Sequence, residues 1–304
     1  MRQSKNILVT GANGFVGRLL VPYLADEGFT VSAAMRSLEG YNNDPRTTAL
    51  KMPDLSESGA AWMPLLTGID VIIHTAGIAH TEGEFQTYDQ INHLATAAMV
   101  RAAQQAHVEH FIFISSILAQ TGASAYNVLT EQDIPTPKSA YGKSKLAAEL
   151  AIKKSGIKYT ILRPVVIYGD RPKGNLATLI KLASLPIPLP FGSCTQPRSI
   201  LMIENFNSAV RHVLTSESAI NQVFIVADTS PLSLSEMITQ IRQARGIRRN
   251  LVSIPTMMLN LLLRIIGKSE IYERICQPLV ASPERLLNIG WNPLPTNLRK
   301  NIRL

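Results

Sequence analysis

Tyr141 and Lys145 are spaced for chemistry. They lie inside Ser139-Ala-Tyr-Gly-Lys-Ser-Lys-Leu-Ala-Ala-Glu149. On a helix, positions i and i+4 share a face, so the Lys145 ammonium can sit beside the Tyr141 phenol. A free tyrosine ionises near pH ~10, and proton exchange at neutral pH calls for a value nearer ~7. That difference is roughly 4 kcal/mol, which one cation about 4 Å away at an effective dielectric near 20 supplies. Ser139 is placed to cap the helix, which puts Tyr141 in the first turn, where the helix dipole also favours phenolate. The alternative is an ordinary surface helix, so the elements around this stretch decide its meaning.

Those elements begin with Asn6-Ile-Leu-Val-Thr10, an apolar run consistent with a buried strand. It enters Gly11-Ala-Asn-Gly14-Phe-Val-Gly17 and then a helical pattern over Arg18–Glu27. In a strand–turn–helix context, Gly11 permits a tight turn and Gly14 lets backbone approach a pyrophosphate. Gly17 allows close packing, with phosphates at the helix N-terminus. Thr30–Met35 is a second strand ending in Met35-Arg36-Ser37, without the acid that would hold an NAD ribose hydroxyl. Arg36 can pair with a 2′-phosphate, which tilts the cofactor from NAD toward NADP, or it can stack on adenine. Ala49–Met52 is a short third strand, and Asp54 beyond it either accepts from the adenine amino group or caps the next helix. Asp70–His74 is a fourth strand opening into the small residues Thr75-Ala76-Gly77, and Phe85–Gln105 is a long helix containing Asn92. His110–Ser116 is a fifth strand ending in two hydroxyls, and Tyr159–Arg163 a sixth. Ligands of open α/β sheets bind at the carboxyl ends of such strands. Repeated strand–helix alternation predicts an α/β, Rossmann-type doubly wound parallel sheet with right-handed crossovers.

After Gly169 the pattern changes. Arg171–Asn175 and the proline-rich Leu185–Gly192 suit substrate loops, and Val223–Ala227 is a strand among helices. The expected division is a dinucleotide-binding domain over 1–169 with 199–216 packing back onto it. A smaller, mostly helical substrate-binding region then spans 170–198 and 217–304.

Composition excludes several classes. In 304 residues, 46% hydrophobic and 17% charged residues describe a globular chain. The net charge of +8 favours an anionic partner, yet no run of five Lys/Arg occurs, which argues against nucleic acid. Cys194 and Cys276 form neither a metal spacing nor a disulfide framework, His74 and His80 do not make a metal pair, and no metal is expected. The polar opening Met1–Asn6 leads directly into a strand, so a cytoplasmic location is expected. Leu251–Gly267 is the most apolar stretch, but Pro255, Asn260 and Arg264 interrupt it. It reads as a buried helix, with a peripheral membrane anchor over Leu251–Ile266 as the less favoured alternative and no stable membrane insertion.

With the glycine turn, Ser116 and the Tyr141/Lys145 pair in place, the sequence resembles the extended short-chain dehydrogenase/reductases. These belong to the NAD-dependent epimerase/dehydratase family. Arg163-Pro-Val-Val-Ile-Tyr-Gly169 and Gly290-Trp291 fit the same pattern. The resemblance implies Ser116, Tyr141 and Lys145 as the catalytic set. It also implies a cofactor site lined by Gly11, Asn13, Gly14, Phe15, Val16, Gly17, Arg36, Asp54, Leu55, Thr75, Ala76, Gly77, Asn92, Tyr141, Lys145, Pro164 and Val165. Within the family the chain looks most like UDP-sugar 4-ketoreductases, through Tyr168–Asn175, Pro186–Gly192, Arg198-Ser199 and Glu204-Asn205. That similarity implies Asn175 and Arg198, with Ser116 and Tyr141, at a UDP-sugar, Arg198 on its diphosphate. The implied reaction is reduction of a UDP-4-keto-6-deoxy-N-acetylhexosamine for surface polysaccharide (O-antigen). UDP-hexose 4-epimerase is the alternative, because it uses the same three residues. Ile117 and Leu118 follow Ser116 where 4,6-dehydratases carry an Asp-Glu pair, which argues against elimination. A non-catalytic NADP(H) sensor would lose the Tyr/Lys pair that this chain keeps. Relatives often dimerise through helices matching Phe85–Gln105 and Tyr141–Lys154, so a homodimer is expected.

Overall fold

The computed structural model describes residues 5–41, 44–57, 61–79, 84–169, 174–265, 269–296 and 298. Seven parallel strands form the central sheet: β1 (Asn6–Thr10), β2 (Thr30–Met35), β3 (Thr47–Lys51), β4 (Val71–His74), β5 (His110–Ile114), β7 (Tyr159–Pro164) and β10 (Gln222–Val226). Their spatial order is β3-β2-β1-β4-β5-β7-β10, with the crossover between β1 and β4. Strands β6 (Ala125–Leu129) and β11 (Leu279–Ala281) pair separately, as do β8 (Val166–Tyr168) and β9 (Ile200–Met202). Val223–Ala227, read as a strand among the C-terminal helices, is therefore the edge strand of the central sheet.

The helices are α1 (Gly17–Asp26), α2 (Phe85–Tyr88), α3 (Ala95–Gln105), α4 (Ala140–Ser155), α5 (Gly174–Ala183), α6 (Ile203–Thr215), α7 (Leu234–Ala244), α8 (Thr256–Ile265), α9 (Ser269–Cys276) and α10 (Glu284–Asn288). Both sheet faces are covered, which is why the strands read as continuous apolar runs. Ile7, Val9, Ile112 and Ile114 pack with Leu20 and Leu24 of α1 and Phe206 and Val210 of α6. The alternate positions Leu8, Ile72, Phe111 and Phe113 pack with Met99 of α3 and Ala148 and Ile152 of α4. Each such buried side chain contributes about 1.5–3 kcal/mol.

The expected helix over Phe85–Gln105 is present with one irregularity. Asp89–Leu94, between α2 and α3, is wound as a π turn carrying Asn92. Single π turns recur at functional sites, because the wider winding re-aims one side chain.

A third core lies in the C-terminal region, around Tyr168, Leu189, Met237, Ile238 and Leu259. Here the cysteine reading is corrected, because Cys194 and Cys276 form a disulfide with Cα atoms 4.9 Å apart. They are separated by 82 positions, and no spacing rule reaches so far. The packing of the Leu189–Cys194 strap against the end of α9 brings them together. In the chain-entropy view, closing such a loop contributes roughly 4–5 kcal/mol. The buried-helix reading of Leu251–Gly267 holds for one face only. Leu259 of α8 is buried, while Met257, Met258, Leu261 and Ile265 are exposed. Among the described residues, no helix is long and apolar enough to cross a membrane, and no cluster is suited to a metal ion.

His74 belongs to the core, its Nδ1 2.8 Å from the Thr10 hydroxyl and its Nε2 3.0 Å from that of Thr96. His80 lies outside the described residues. Burial, reinforced by the Lys145 charge, pushes His74 down to about 3, and burial beside Lys5 and Lys158 pushes His110 down to about 4. Unfolded histidine protonates near pH ~6.5, so the unfolded chain binds more protons below that pH. Stability is then complete above pH ~6.5 and falls as pH drops toward these folded values. We expect a loss of roughly 4 kcal/mol between pH 6.5 and 4.5, read as a falling urea midpoint. His110→Gln should flatten the slope; a midpoint constant across that range would rule this account out.

Candidate active site

The N-terminus of α4 sets the geometry. Ser139 is extended and its hydroxyl accepts from the Gly142 N–H at 3.0 Å, forming the expected cap. Gly142 faces the turn after β5 so closely that a Cβ there would lie 2.1 Å from the Leu118 carbonyl oxygen. This close approach sets Tyr141 beside Ser116, whose hydroxyl acts on the phenol to lower its pKa. The Ser116 hydroxyl also accepts from the Leu118 N–H at 3.2 Å. Tyr88 meets the Tyr141 ring edge-on, with centroids 6.1 Å apart.

Lys145 is placed on the same helix face but does not depress Tyr141 as the spacing predicts. Burial pushes the phenol up to about 12, against the lowering effect of the Ser116 hydrogen bond. The physical reason is the position of the ammonium. It donates to the Ile114 carbonyl at 2.9 Å and lies 4.6 Å from the centre of the Phe113 ring. Burial pushes Lys145 itself down to about 8, and the Glu149 carboxylate opposes that fall.

Glu149, one turn beyond Lys145, was not singled out for any role by the sequence. It is fully buried, accepts from the Ser115 hydroxyl at 2.5 Å, and pairs with Arg163 through Nε at 3.0 Å and Nη2 at 2.6 Å. Arg163 Nη1 donates to Gln120 Oε1 at 2.8 Å. The network joins α4, the end of β5, the turn after it and β7, and so fixes the catalytic helix against the sheet. An acid four residues after Lys145, with an arginine closing a strand, was the available signal. Gly142, a glycine one turn inside a helix, was another.

The glycine turn forms a cradle in which side chains have no room. Gly11 has φ +70°, and a Cβ on it would lie 2.9 Å from the backbone of Ala76. A Cβ on Gly17 would lie 2.3 Å from the Gly11 carbonyl oxygen. Helix α1 starts at Gly17 without a side-chain cap or an acid in its first turn, leaving N–H groups suited to a phosphate. Asn13 and Gly14 are exposed, and Phe15 and Val16 half-buried, along this turn. Gly77 lies against Asn92 and Lys145; a Cβ there would be 2.6 Å from Asn92 Oδ1 and 3.7 Å from Lys145 Nζ. Asn92 itself pins the Ile78 backbone at 2.9 and 3.0 Å and reaches the Ser144 hydroxyl at 3.1 Å. Thr75 donates to the Thr10 carbonyl at 2.6 Å. Pro164 ends β7, and the Val165 N–H donates to Val226. These residues fit a dinucleotide lying across the strand ends. Arg36 is exposed at the end of β2. Asp54 Oδ1 accepts from the Ser56 N–H and hydroxyl at 2.9 and 2.8 Å, so it closes a turn rather than capping a helix; these bonds lower its pKa, as does the nearby Arg36 charge. Leu55 beside it is buried.

Among the residues expected at substrate, Arg198 is already engaged. Its guanidinium donates to the carbonyls of Ala123 at 3.0 Å, Glu273 at 3.4 Å and Gln277. Burial pushes it down to about 10, with Glu273 opposing. It thus braces the segment after Ser116 against the end of α9. A depression of about 390 Å3 opens there, lined by Ser124, Tyr126, Asn260, Arg264, Tyr272, Glu273 and Gln277. A larger one, about 560 Å3, involves Gln104, His107 and Gly156 and none of the residues assigned to chemistry. Asn175 lies in the first turn of α5, with its side chain outside the described residues. Asn205, expected in a substrate motif, is a core residue that donates to Asp228 Oδ1 at 2.8 Å and receives the Leu294 N–H at 2.7 Å.

A doubly wound sheet, a glycine cradle and a Ser–Tyr–Lys set at the strand ends define an extended short-chain dehydrogenase/reductase. Residues 7–227 match the NAD dependent epimerase/dehydratase family. UDP-glucose 4-epimerase of Vibrio cholerae is 32% identical over 315 positions, covering 99% of this chain and 94% of that one. The N-acetyl-alpha-D-glucosaminyl-diphospho-ditrans,octacis-undecaprenol 4-epimerase of Escherichia coli O157:H7 is 27% identical over 86% of this chain and 77% of its own. Among solved structures, MoeE5 in complex with UDP-glucuronic acid and NAD superposes with a TM-score of 0.77 at 25% identity, covering 97% and 96% of the two chains. The chain belongs to the NAD-dependent epimerase/dehydratase family and is an enzyme of that kind.

Two variants test how the site is built. Gly142→Ala must push α4 away from a backbone carbonyl that has nowhere to move. We expect turnover to fall at least tenfold with the chain still folded, as judged by circular dichroism; wild-type turnover would remove the close approach from the argument. Glu149→Gln leaves the buried Arg163 charge without its partner, a change that costs about 3–5 kcal/mol. The thermal midpoint should drop accordingly, and an unchanged midpoint would show that the pair contributes nothing to stability.

Proposed function

We propose that the chain exchanges a hydride at C4 of a UDP-hexose, with 4-epimerisation as the net reaction. The observation that carries this reading is the Ser116–Tyr141 hydroxyl pair, held beside Lys145 and the glycine cradle. It is supported by the 32% identical relative, itself a UDP-glucose 4-epimerase. NAD or NADP, when bound, would accept the hydride and return it. Ser116 would orient the C4 oxygen and Tyr141 would take or give its proton. Lys145, within reach of Gly77 and Asn92, would hold the nicotinamide ribose and supply the positive charge. Dispersed cationic charge would draw in two anionic ligands.

A second reading is net reduction of a UDP-4-keto-6-deoxy-N-acetylhexosamine, with a surface-polysaccharide role. It is favoured by the phenol, which burial keeps in its protonated form at neutral pH, and by the exposed Arg36, which suits the exchangeable NADPH that a reductase consumes. In either case the sugar would lie toward the region 170–198 and 217–304, with β10 excepted. A homodimer through α2, α3 and α4 is part of the proposal, supported by the exposed Phe85, Leu94 and Leu150. So is a cytoplasmic setting. Disulfides are unusual there, but Cys194 and Cys276 are only 1% and 2% exposed, which shields the bond from small thiols.

Purified protein should interconvert UDP-glucose and UDP-galactose, or their N-acetylated forms, without net oxidation of added cofactor. Net loss of NADPH absorbance with a UDP-4-ketosugar would establish the reductase instead. Tyr141→Phe should retain cofactor binding and lose about 10²–10⁴-fold in turnover; unaltered turnover would take Tyr141 out of the chemistry.

A further inference from the structure

Helix α8 presents an apolar face that no other part of the described chain covers. Leu259 packs inward, while Met257, Leu261 and Ile265, spaced four residues apart, are 84%, 59% and 72% exposed. Residues spaced by four stack along one side of a helix, and Met258, 55% exposed, widens the stripe. The helix therefore has two apolar sides, one packed into the C-terminal core and one bare.

The segment around it is cationic, and an exposed acid, Glu273 of α9, lines the same depression as Arg264. From Met237 to Ser269 the sequence contains no Asp or Glu and no aromatic residue. Arg264 is exposed at the border of the stripe, and Arg248 and Arg249 are exposed shortly before the helix. Their backbone is held in place by a buried residue. Arg242, with no exposure, donates to the carbonyls of Arg249 at 2.8 Å and Asn250 at 3.0 Å, and also to those of Leu185 at 3.0 Å and Ile187 at 2.7 Å. One guanidinium thus clamps two loops. One carries two arginines to the surface; the other carries Leu185 and Ile187, which are 43% and 50% exposed.

We infer that this face of the C-terminal region docks on an anionic lipid surface, with α8 lying in the plane of the headgroups. The inference rests on the combination of an in-plane apolar stripe with flanking arginines and no acid on α8 or in the segment leading into it, the composition that selects an interfacial helix. A nucleic acid would gain nothing from a methionine–leucine–isoleucine stripe, and base stacking needs aromatic rings that the segment lacks. A helix of ten residues is far too short to cross a bilayer, so the contact is peripheral. It is independent of which hexose derivative the enzyme takes, because the outer side of α8 carries none of the residues assigned to chemistry.

The test uses the full chain and vesicles of equimolar phosphatidylglycerol and phosphatidylcholine, with vesicles of phosphatidylcholine alone as reference. The wild type should co-sediment with the anionic vesicles and be released as salt rises. Each basic residue near such a surface strengthens attachment about fivefold, so the pair Arg248→Glu and Arg249→Glu should weaken it at least tenfold. The pair Met257→Glu and Leu261→Glu should weaken it as strongly while leaving turnover on water-soluble substrate unchanged. Three outcomes would overturn the proposal. One is a wild type that stays in the supernatant with anionic vesicles. Another is attachment that ignores the Met257/Leu261 pair. The third is a Met257/Leu261 variant that changes only the oligomeric state, which would assign the stripe to a second copy of this chain.

Discussion

The buried pairing of Glu149 with Arg163 is the constraint on which the catalytic geometry depends. Two full charges without solvent are tolerated only where hydrogen bonds complete their shells, and here Ser115 and Gln120 do so. Because the partners come from α4 and β7, the helix cannot slide along the sheet without separating buried charges. Ser115 at the end of β5 donates into the same pair, so its neighbour Ser116 is set by the same network. The cap at Ser139 and the bare backbone of Gly142 then fix the other end of the helix. Tyr141 is positioned between two restraints rather than by its own contacts.

Much of this was legible in the sequence because its signals were local. The glycine turn after Thr10, the cap at Ser139 and the strand leading to Ser115-Ser116 are each set by neighbours within a few residues, and the structure has all of them, with the strand itself closing at Ile114. The parallel sheet followed from the alternation of apolar runs with helical patterns. What escaped depends on distance along the chain. The Cys194–Cys276 bond joins segments 82 positions apart, and Arg198 is held by carbonyls from both sides of the molecule. The charge balance at Tyr141 also escaped. Spacing predicts that Lys145 can reach the phenol, but not that the Ile114 carbonyl and the Phe113 ring compete for the ammonium.

The cofactor cradle and the catalytic set share one support. His74 at the end of β4 lies between the Thr10 and Thr96 hydroxyls, and the Thr96 hydroxyl donates to the Asn92 carbonyl at 2.7 Å. Asn92 in turn reaches Ile78 and Ser144. A single polar chain therefore runs from the glycine turn through the π turn to α4. Wider winding at Asp89–Leu94 is what lets Asn92 serve both sides, which gives that irregularity a mechanical purpose.

The Cys194–Cys276 link makes a covalent ring of the chain between its two ends, and that ring contains α6 and β10, which pack in the sheet-bearing half. The two halves are thus threaded together rather than strung in series. A single peptide cut anywhere inside the ring would leave both fragments attached through sulfur. Such a nick would escape detection on a denaturing gel until a thiol was added.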